Sequence, residues 1–305
     1  MPIPDGERLF IGDGGLETTM IFREGFELPE FAAFTQLGEP AGRKALRRYY
    51  DDFIAIARDY GIGFTLDTPT WRASAGWGEK LGLSPAAIAD VNRDAVELAA
   101  EIRAAEEGQQ TPIAVCGALG PEGDGYHPDH VLGAGDAEDC HAPQVEVFAA
   151  AGVDMVAAYT LTYAEEAIGM VGAAGAAGVP ISISFTVETD GRLPSEEPLG
   201  EAIERVDAET GSAAAYFMVN CAHPTHFGAD LETGGRWLER LGGIRANASR
   251  LSHAELDEMD SLDDGDPEEL AGEYRDLGPK LPALRVLGGC CGTDRRHIAA
   301  ICDAL

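Results

Sequence analysis

Short apolar runs alternate along the chain with longer stretches whose apolar residues recur every three or four positions. The short runs are RLFIGDG, IGFTLDT, PIAVCGA, VDMVAAYT, PISISFTV, AAYFMVNC, GIRANAS and LRVLGGC. Most pass from apolar residues into a polar or glycine-rich end, the pattern of parallel strands buried on both faces. In GRKALRRYYDDFIAIARDYG, Leu46, Tyr50, Phe53, Ile54 and Ala57 share one helical face, and Gly61 is the stop. Ser84 and Pro85 open the next helix as N-cap and first-turn proline. APQVEVFAAAGVD and AEEAIGMVGAAGAAGVP each reach a glycine just before a new strand. Eight such strand–helix repeats predict one domain over residues 1–305, an α/β fold of the (β/α)8 TIM-barrel type. An open doubly wound sheet is the competing architecture, but the first strand ends in GDGGLETT and lacks the GxGxxG of dinucleotide folds. Residues 249–278 break the rhythm. They are acidic and rich in turn formers, and read as a long solvated loop without chemistry followed by the seventh helix.

Composition narrows the partners. The chain has 305 residues, 45% of them hydrophobic, which is enough for a large core. Its 53 acidic and 22 basic residues give a formal charge of −31, which repels nucleic-acid phosphates and anionic membranes. No nucleic acid and no membrane is expected as partner. The opening MPIPDGERLFIGDGG has no basic segment followed by an apolar one, and nothing resembles a membrane span. Six cysteines, at 116, 140, 221, 290, 291 and 302, are too few and too irregular for a disulfide scaffold, so a reducing cytoplasm is the expected location. The oligomeric state is not encoded in any pattern here.

The cysteines carry the chemistry. Chemistry in a barrel sits at the C-terminal ends of the strands, where Cys221 closes the sixth run and Cys290 and Cys291 close the eighth. Adjacent cysteines are poor partners for one another, because a disulfide needs its two Cα atoms well apart. Three thiols converging at one barrel end instead make a trigonal face for a soft divalent ion, best Zn2+, with the fourth position open. Gly288, Gly289 and Gly292 let the backbone turn tightly enough for both thiolates of the pair to point at one ion. Cys116, Cys140 and Cys302 read as small buried hydrophobes. An external thiol taking the open position loses its proton and becomes a nucleophile, suited to attack on a methyl group carried by a cationic sulfur or nitrogen. His223 and His226 follow Cys221, but Pro224 and the short spacing argue against ligation.

The motifs DGGLETT, TPTWRAS, CGALGPEGDGY, VNCAHP and GGCCGTDRRHI, in this order over nearly the whole chain, resemble the homocysteine S-methyltransferase family. The resemblance implies a (β/α)8 barrel in which Cys221, Cys290 and Cys291 bind zinc and homocysteine sulfur completes its coordination. It further implies that Asp13, the Gly14 and Gly15 backbone, Thr70 and Asn247 hold the amino-acid end of homocysteine. Ala246 stands where the family usually has proline. Tyr159, in AYTLTY, stands where the family has a glutamate that binds the acceptor's amine; a tyrosine hydrogen-bonds an ammonium without neutralising it. Glu165 and Glu166 fall on the following helix and are expected to face solvent. Trp71, Trp77, Tyr126, Tyr159 and Tyr163 lie near strand ends, where an aromatic wall attracts a sulfonium or quaternary ammonium by about 0.5–2 kcal/mol. With no room for folate or cobalamin domains, the expected donor is S-methylmethionine ahead of betaine. The partners are thus a small-molecule thiol and a methyl donor. Two alternatives stay open: the same chemistry on another thiol, and a non-catalytic barrel that binds zinc or senses oxidation.

Overall fold

The computed structural model describes residues 8–126, 130–259 and 261–304. Each of the eight short apolar runs coincides with or overlaps a strand: β1 Phe10–Ile11, β2 Gly63–Asp67, β3 Ile113–Leu119, β4 Met155–Leu161, β5 Ile181–Phe185, β6 Tyr216–Asn220, β7 Leu241–Ala246 and β8 Val286–Gly289. They pair in parallel in chain order, and β8 closes on β1 with Phe10 opposite Val286 and Ile11 opposite Leu287. The result is a closed (β/α)8 barrel, and the open sheet is excluded.

The helical signals hold with local adjustments. The helix Pro40–Tyr60 starts on its proline and stops at Gly61, whose φ of +65° favours a residue without a Cβ. Ser84 Oγ accepts from the Ala87 amide at 3.2 Å and caps the helix Pro85–Glu106. The helix before β4 runs over Ala134–Ala151 and so begins well before its apolar pattern does. Its first part, AGDAEDCH, is polar on half of its positions, which hid it. The segment after β7 holds a short helix, His253–Asp257, fixed by a capping box between Ser252 and Glu255. The seventh helix follows at Pro267–Leu277, capped by Asp266. Glu166 does not face solvent. It is buried, accepts from the Glu122 amide at 2.7 Å and lies 2.9 Å from His141 Nε2, whereas Glu165 pairs with Arg205 near the surface.

Strand alternation sorts the core into two layers. Outward residues such as Phe64, Leu66, Val115, Phe217 and Ile244 pack against the helices, each contributing about 1.5–3 kcal/mol by burial. Inward residues at the lower end form a separate apolar plug of Phe10, Ala114, Cys116, Met155, Ala157, Tyr216, Met218 and Val286. Continuing up the same inward rows, the residues become polar: Thr65 and Asp67 on β2, Tyr159 on β4, Asn220 on β6 and Arg245 on β7. A polar layer therefore lies on top of the plug, at the end of the barrel where catalytic sites form. Cys116 and Cys302 are buried as expected, while Cys140 is half-buried on its helix. Among the described residues, no helix is long and apolar enough to cross a membrane.

Candidate metal centre and substrate pockets

The loops after β6 and β8 bring Cys221, Cys290 and Cys291 together, with all three sulfurs within 4.8 Å of one another. Cys221 and Cys290 are joined as a disulfide with Cα atoms 5.3 Å apart, and the neighbours Cys290 and Cys291 are not bonded. Burial pushes the free Cys291 thiol up to about 11. Cys221 has a φ of +54°, unusual for a residue with a side chain, and three contacts hold it there. Its amide donates to the Arg245 carbonyl at 3.1 Å, Asn247 Nδ2 donates to its carbonyl at 2.9 Å, and His253 Nε2 lies 2.6 Å from the same carbonyl.

The DGG and GGCCGT motifs interlock. A Cβ on Gly14 would sit 2.6 Å from the Thr293 carbonyl oxygen, and one on Gly15 would sit 2.7 Å from that of Cys290. Thr293 Oγ1 in turn donates to the Cys290 carbonyl at 2.7 Å, and Gly292 adopts φ +80°. The Gly15 amide is spent on the Thr293 carbonyl at 3.0 Å, so that amide is not available to the amino-acid end of an acceptor, contrary to the expectation from sequence. Three sulfurs facing one point fit a soft divalent ion such as zinc. They do so only as thiolates, which requires the Cys221–Cys290 bond to be reduced first.

Below the cysteines lies an inner cavity of about 90 Å³ whose walls include Asp13, Glu17, Asp67, Trp71, Tyr159 and Arg245. Arg245 dominates it. Its guanidinium makes ion pairs with both Asp13 and Asp67, donates to Tyr159 Oη at 3.1 Å, and reaches the Gly289 carbonyl through Nε at 3.2 Å and the Asp13 carbonyl at 3.4 Å. Tyr159 Oη donates to Asp67 Oδ2 at 2.9 Å. Burial raises the Asp67 carboxyl to about 6, with Arg245 pulling the other way, and burial likewise raises Asp13. The second oxygen of Asp67, Oδ1, is buried with no partner, a state that costs about 1–3 kcal/mol. Glu17 makes no ion pair among the described residues, and burial lifts it to about 7.

Two expected acceptor residues are elsewhere. Thr70 is fully buried, its hydroxyl donating to the Ala118 carbonyl at 2.8 Å and lying 2.6 Å from that of Thr68. Thr68, not Thr70, takes the lining position. Asn247 stands behind Cys221 and lines the outer cavity; its Oδ1 is buried without a partner. Asp13 and Tyr159 do line the inner cavity, but as partners of Arg245 and Asp67. Neither Arg245 nor Asp67 was singled out from the sequence. Their one signal was a charge within an otherwise apolar strand, which does not say to which side it points.

The outer cavity, about 510 Å³, shares Thr18, Phe31, Trp71, Tyr126 and Cys291 with the inner one. His253, Leu256, Asp257 and Asp263 line it, so the described part of this acidic segment covers a cavity and is not only solvated. Of the aromatic candidates, Trp71, Tyr126 and Tyr159 face the cavities. Trp77 is buried under Arg72 and Lys80, and Tyr163 Oη accepts from the Leu132 amide. His223 caps the short helix Pro224–Phe227 and His226 reaches the Arg250 carbonyl, so neither joins the cysteines.

A family model for homocysteine S-methyltransferases matches residues 10–305. The chain belongs to that family. Rat betaine–homocysteine S-methyltransferase 1 is 29% identical over 184 residues, which cover 53% of this chain and 42% of the rat protein. The matched segment is thus less than half of that relative's length. Among solved structures, the oxidised form of the Escherichia coli homocysteine methyltransferase MmuM superposes with a TM-score of 0.76 at 22% identity, covering 98% of this chain and 97% of that one. Its metallated form gives 0.71 at 21% identity, covering 99% and 97%. At these identities the likeness establishes the fold, a barrel matched over 98% and 99% of this homocysteine S-methyltransferase family chain.

Proposed function

We propose that the protein is a zinc-dependent methyltransferase that moves a methyl group from a sulfonium or quaternary-ammonium donor, S-methylmethionine ahead of betaine, to the thiol of homocysteine. One observation carries the reading: three cysteine sulfurs within 4.8 Å of one another line a charged inner cavity, and one of them, Cys291, also lines the outer cavity. Cys221, Cys290 and Cys291 would hold the zinc, which when bound lowers the pKa of a coordinated thiol and keeps it ionised at neutral pH.

The chain's own residues do the rest. The inner cavity takes the acceptor, with the Asp13–Arg245–Asp67 network orienting its polar end away from the cysteines. Trp71 and Tyr126, on the wall common to both cavities, face the donor's cationic centre. Phe31 and Trp71 shield the reacting atoms from water. The acceptor sulfur's electron pair forms the new bond to the methyl carbon as the donor's bond to that carbon breaks. The bonding pair goes to the donor sulfur or nitrogen, which leaves neutral and needs no proton. No general acid is required.

The test is methionine formation by the reduced, zinc-loaded protein from homocysteine with S-methylmethionine, and in parallel with betaine. Zinc-dependent turnover is expected, faster with S-methylmethionine. A protein shown to hold one zinc that turns over neither donor would overturn the reading. The Cys221–Cys290 disulfide favours a second one, a barrel that only senses oxidation; turnover excludes it.

A further inference from the structure

Position 159 raises a problem of charge for any amine-bearing acceptor, because its tyrosine cannot neutralise an ammonium. The layer around it supplies the answer. Arg245 has five N–H donors, and the structure gives it five acceptors: the Gly289 carbonyl, Asp67 Oδ2, Tyr159 Oη, Asp13 Oδ1 and the Asp13 carbonyl. The guanidinium is therefore fully engaged within the protein and has nothing left for a substrate carboxylate. Two carboxylates around one guanidinium leave the network with one unbalanced negative charge. Tyr159 is committed as well, accepting from Arg245 and donating to Asp67. Within this network the group with spare capacity is Asp67, which lines the inner cavity and whose Oδ1 is buried and unpartnered. A buried ionised oxygen without a donor is a place where a donor with positive charge belongs.

We infer that Asp67, held in place by Arg245 and Tyr159, is the specificity-determining group that binds the ammonium of the acceptor thiol. The acceptor class is thus a primary amine carrying a thiol, and its ammonium balances the network's residual charge. Tyr159 then acts as a positioning residue: it does not meet the amine with charge, but fixes the carboxylate that does. The inference rests on the proposed thiol methyl transfer, and the test below separates the two.

The measurement is equilibrium binding of homocysteine and of 4-mercaptobutyrate, which lacks only the amine, to the reduced zinc-loaded protein by calorimetry. The wild-type protein should bind homocysteine about tenfold or more tighter than the desamino thiol. Asp67→Asn should bring that ratio close to one while zinc content stays at one per chain. Tyr159→Phe, which keeps both ion pairs of Arg245 and is the milder change for folding, should lower the ratio part of the way. Equal binding of the two thiols by the wild-type protein would overturn the inference and leave the thiol chemistry standing. A ratio kept by folded Asp67→Asn would overturn it too, placing the amine elsewhere. Binding of neither thiol would overturn the proposed function and the inference with it.

Discussion

The rim of cysteines and the charged layer beneath it differ in what holds them. The rim is a set of thiols on two loops, and its members are fixed mainly through backbone contacts: Cys221 by Arg245, Asn247 and His253, and Cys290 by Thr293. The layer is ionic and buried, and its side chains fix one another across β2, β4 and β7 together with Asp13, just beyond β1. A thiol replaced by a hydroxyl loses its metal but leaves the neighbours' hydrogen bonds intact. A charge removed from the layer leaves an opposite charge buried without a partner. Metal binding and stability should therefore separate between the two regions.

The largest expected effect tests the rim. Cys291→Ser should lower zinc below one tenth of an equivalent and turnover by roughly 10³-fold or more, because hydroxyl oxygen is a poor ligand where a thiolate is needed. Its metal-free melting temperature should move by no more than a degree or two. Zinc analysis, turnover and thermal unfolding of the same sample check all three. Retained stoichiometric zinc with full activity would remove Cys291 from the centre.

The next effect tests the layer. Arg245→Met removes the cation between Asp13 and Asp67 and should destabilise the metal-free protein by about 3–5 kcal/mol, read from denaturant unfolding. The loss should shrink at acid pH, where the two stranded carboxylates take up protons. A variant as stable as the parent at neutral pH would show that the layer is held by something other than its ion pairs.

The same contrast explains what could be read from the chain in advance. The barrel was legible because each strand and helix announces itself locally, through an apolar run, a capping serine or a terminal glycine. The cysteine rim was legible because NC and GGCCGT are compact motifs of one chemical type. The charged layer is assembled from single residues on separate strands, and each looks ordinary alone. Arg245 in GIRANAS and Asp67 in IGFTLDT sit on strands buried on both faces, where no polar face marks which positions point inward. Thr70 shows the converse, a residue of a recognisable motif, TPTWRAS, whose hydroxyl is spent on the Ala118 carbonyl. That His253, Leu256, Asp257 and Asp263 of the acidic segment cover a cavity was not legible, because composition reports solvation, not what a loop covers.

Glu17 lies between the two regions, lining the inner cavity along with Cys291 and Asp13, and gives the smallest effect. Burial lifts its carboxyl from an ordinary 4.5 to about 7. A carboxyl raised in this way favours the folded state only while it is protonated. Its contribution is complete below pH 4.5 and is lost as the pH rises through 7, since ionisation then occurs more readily in the unfolded chain. Glu17→Gln keeps the shape and stays neutral. The metal-free variant should melt roughly 2–5 °C above the parent at pH 8, and the two should converge by pH 4.5. An advantage independent of pH would assign the gain to packing. No advantage at pH 8 would mean that the carboxylate finds a partner or solvent there, and that the charge imbalance around the acceptor is confined to the Asp13–Arg245–Asp67 layer.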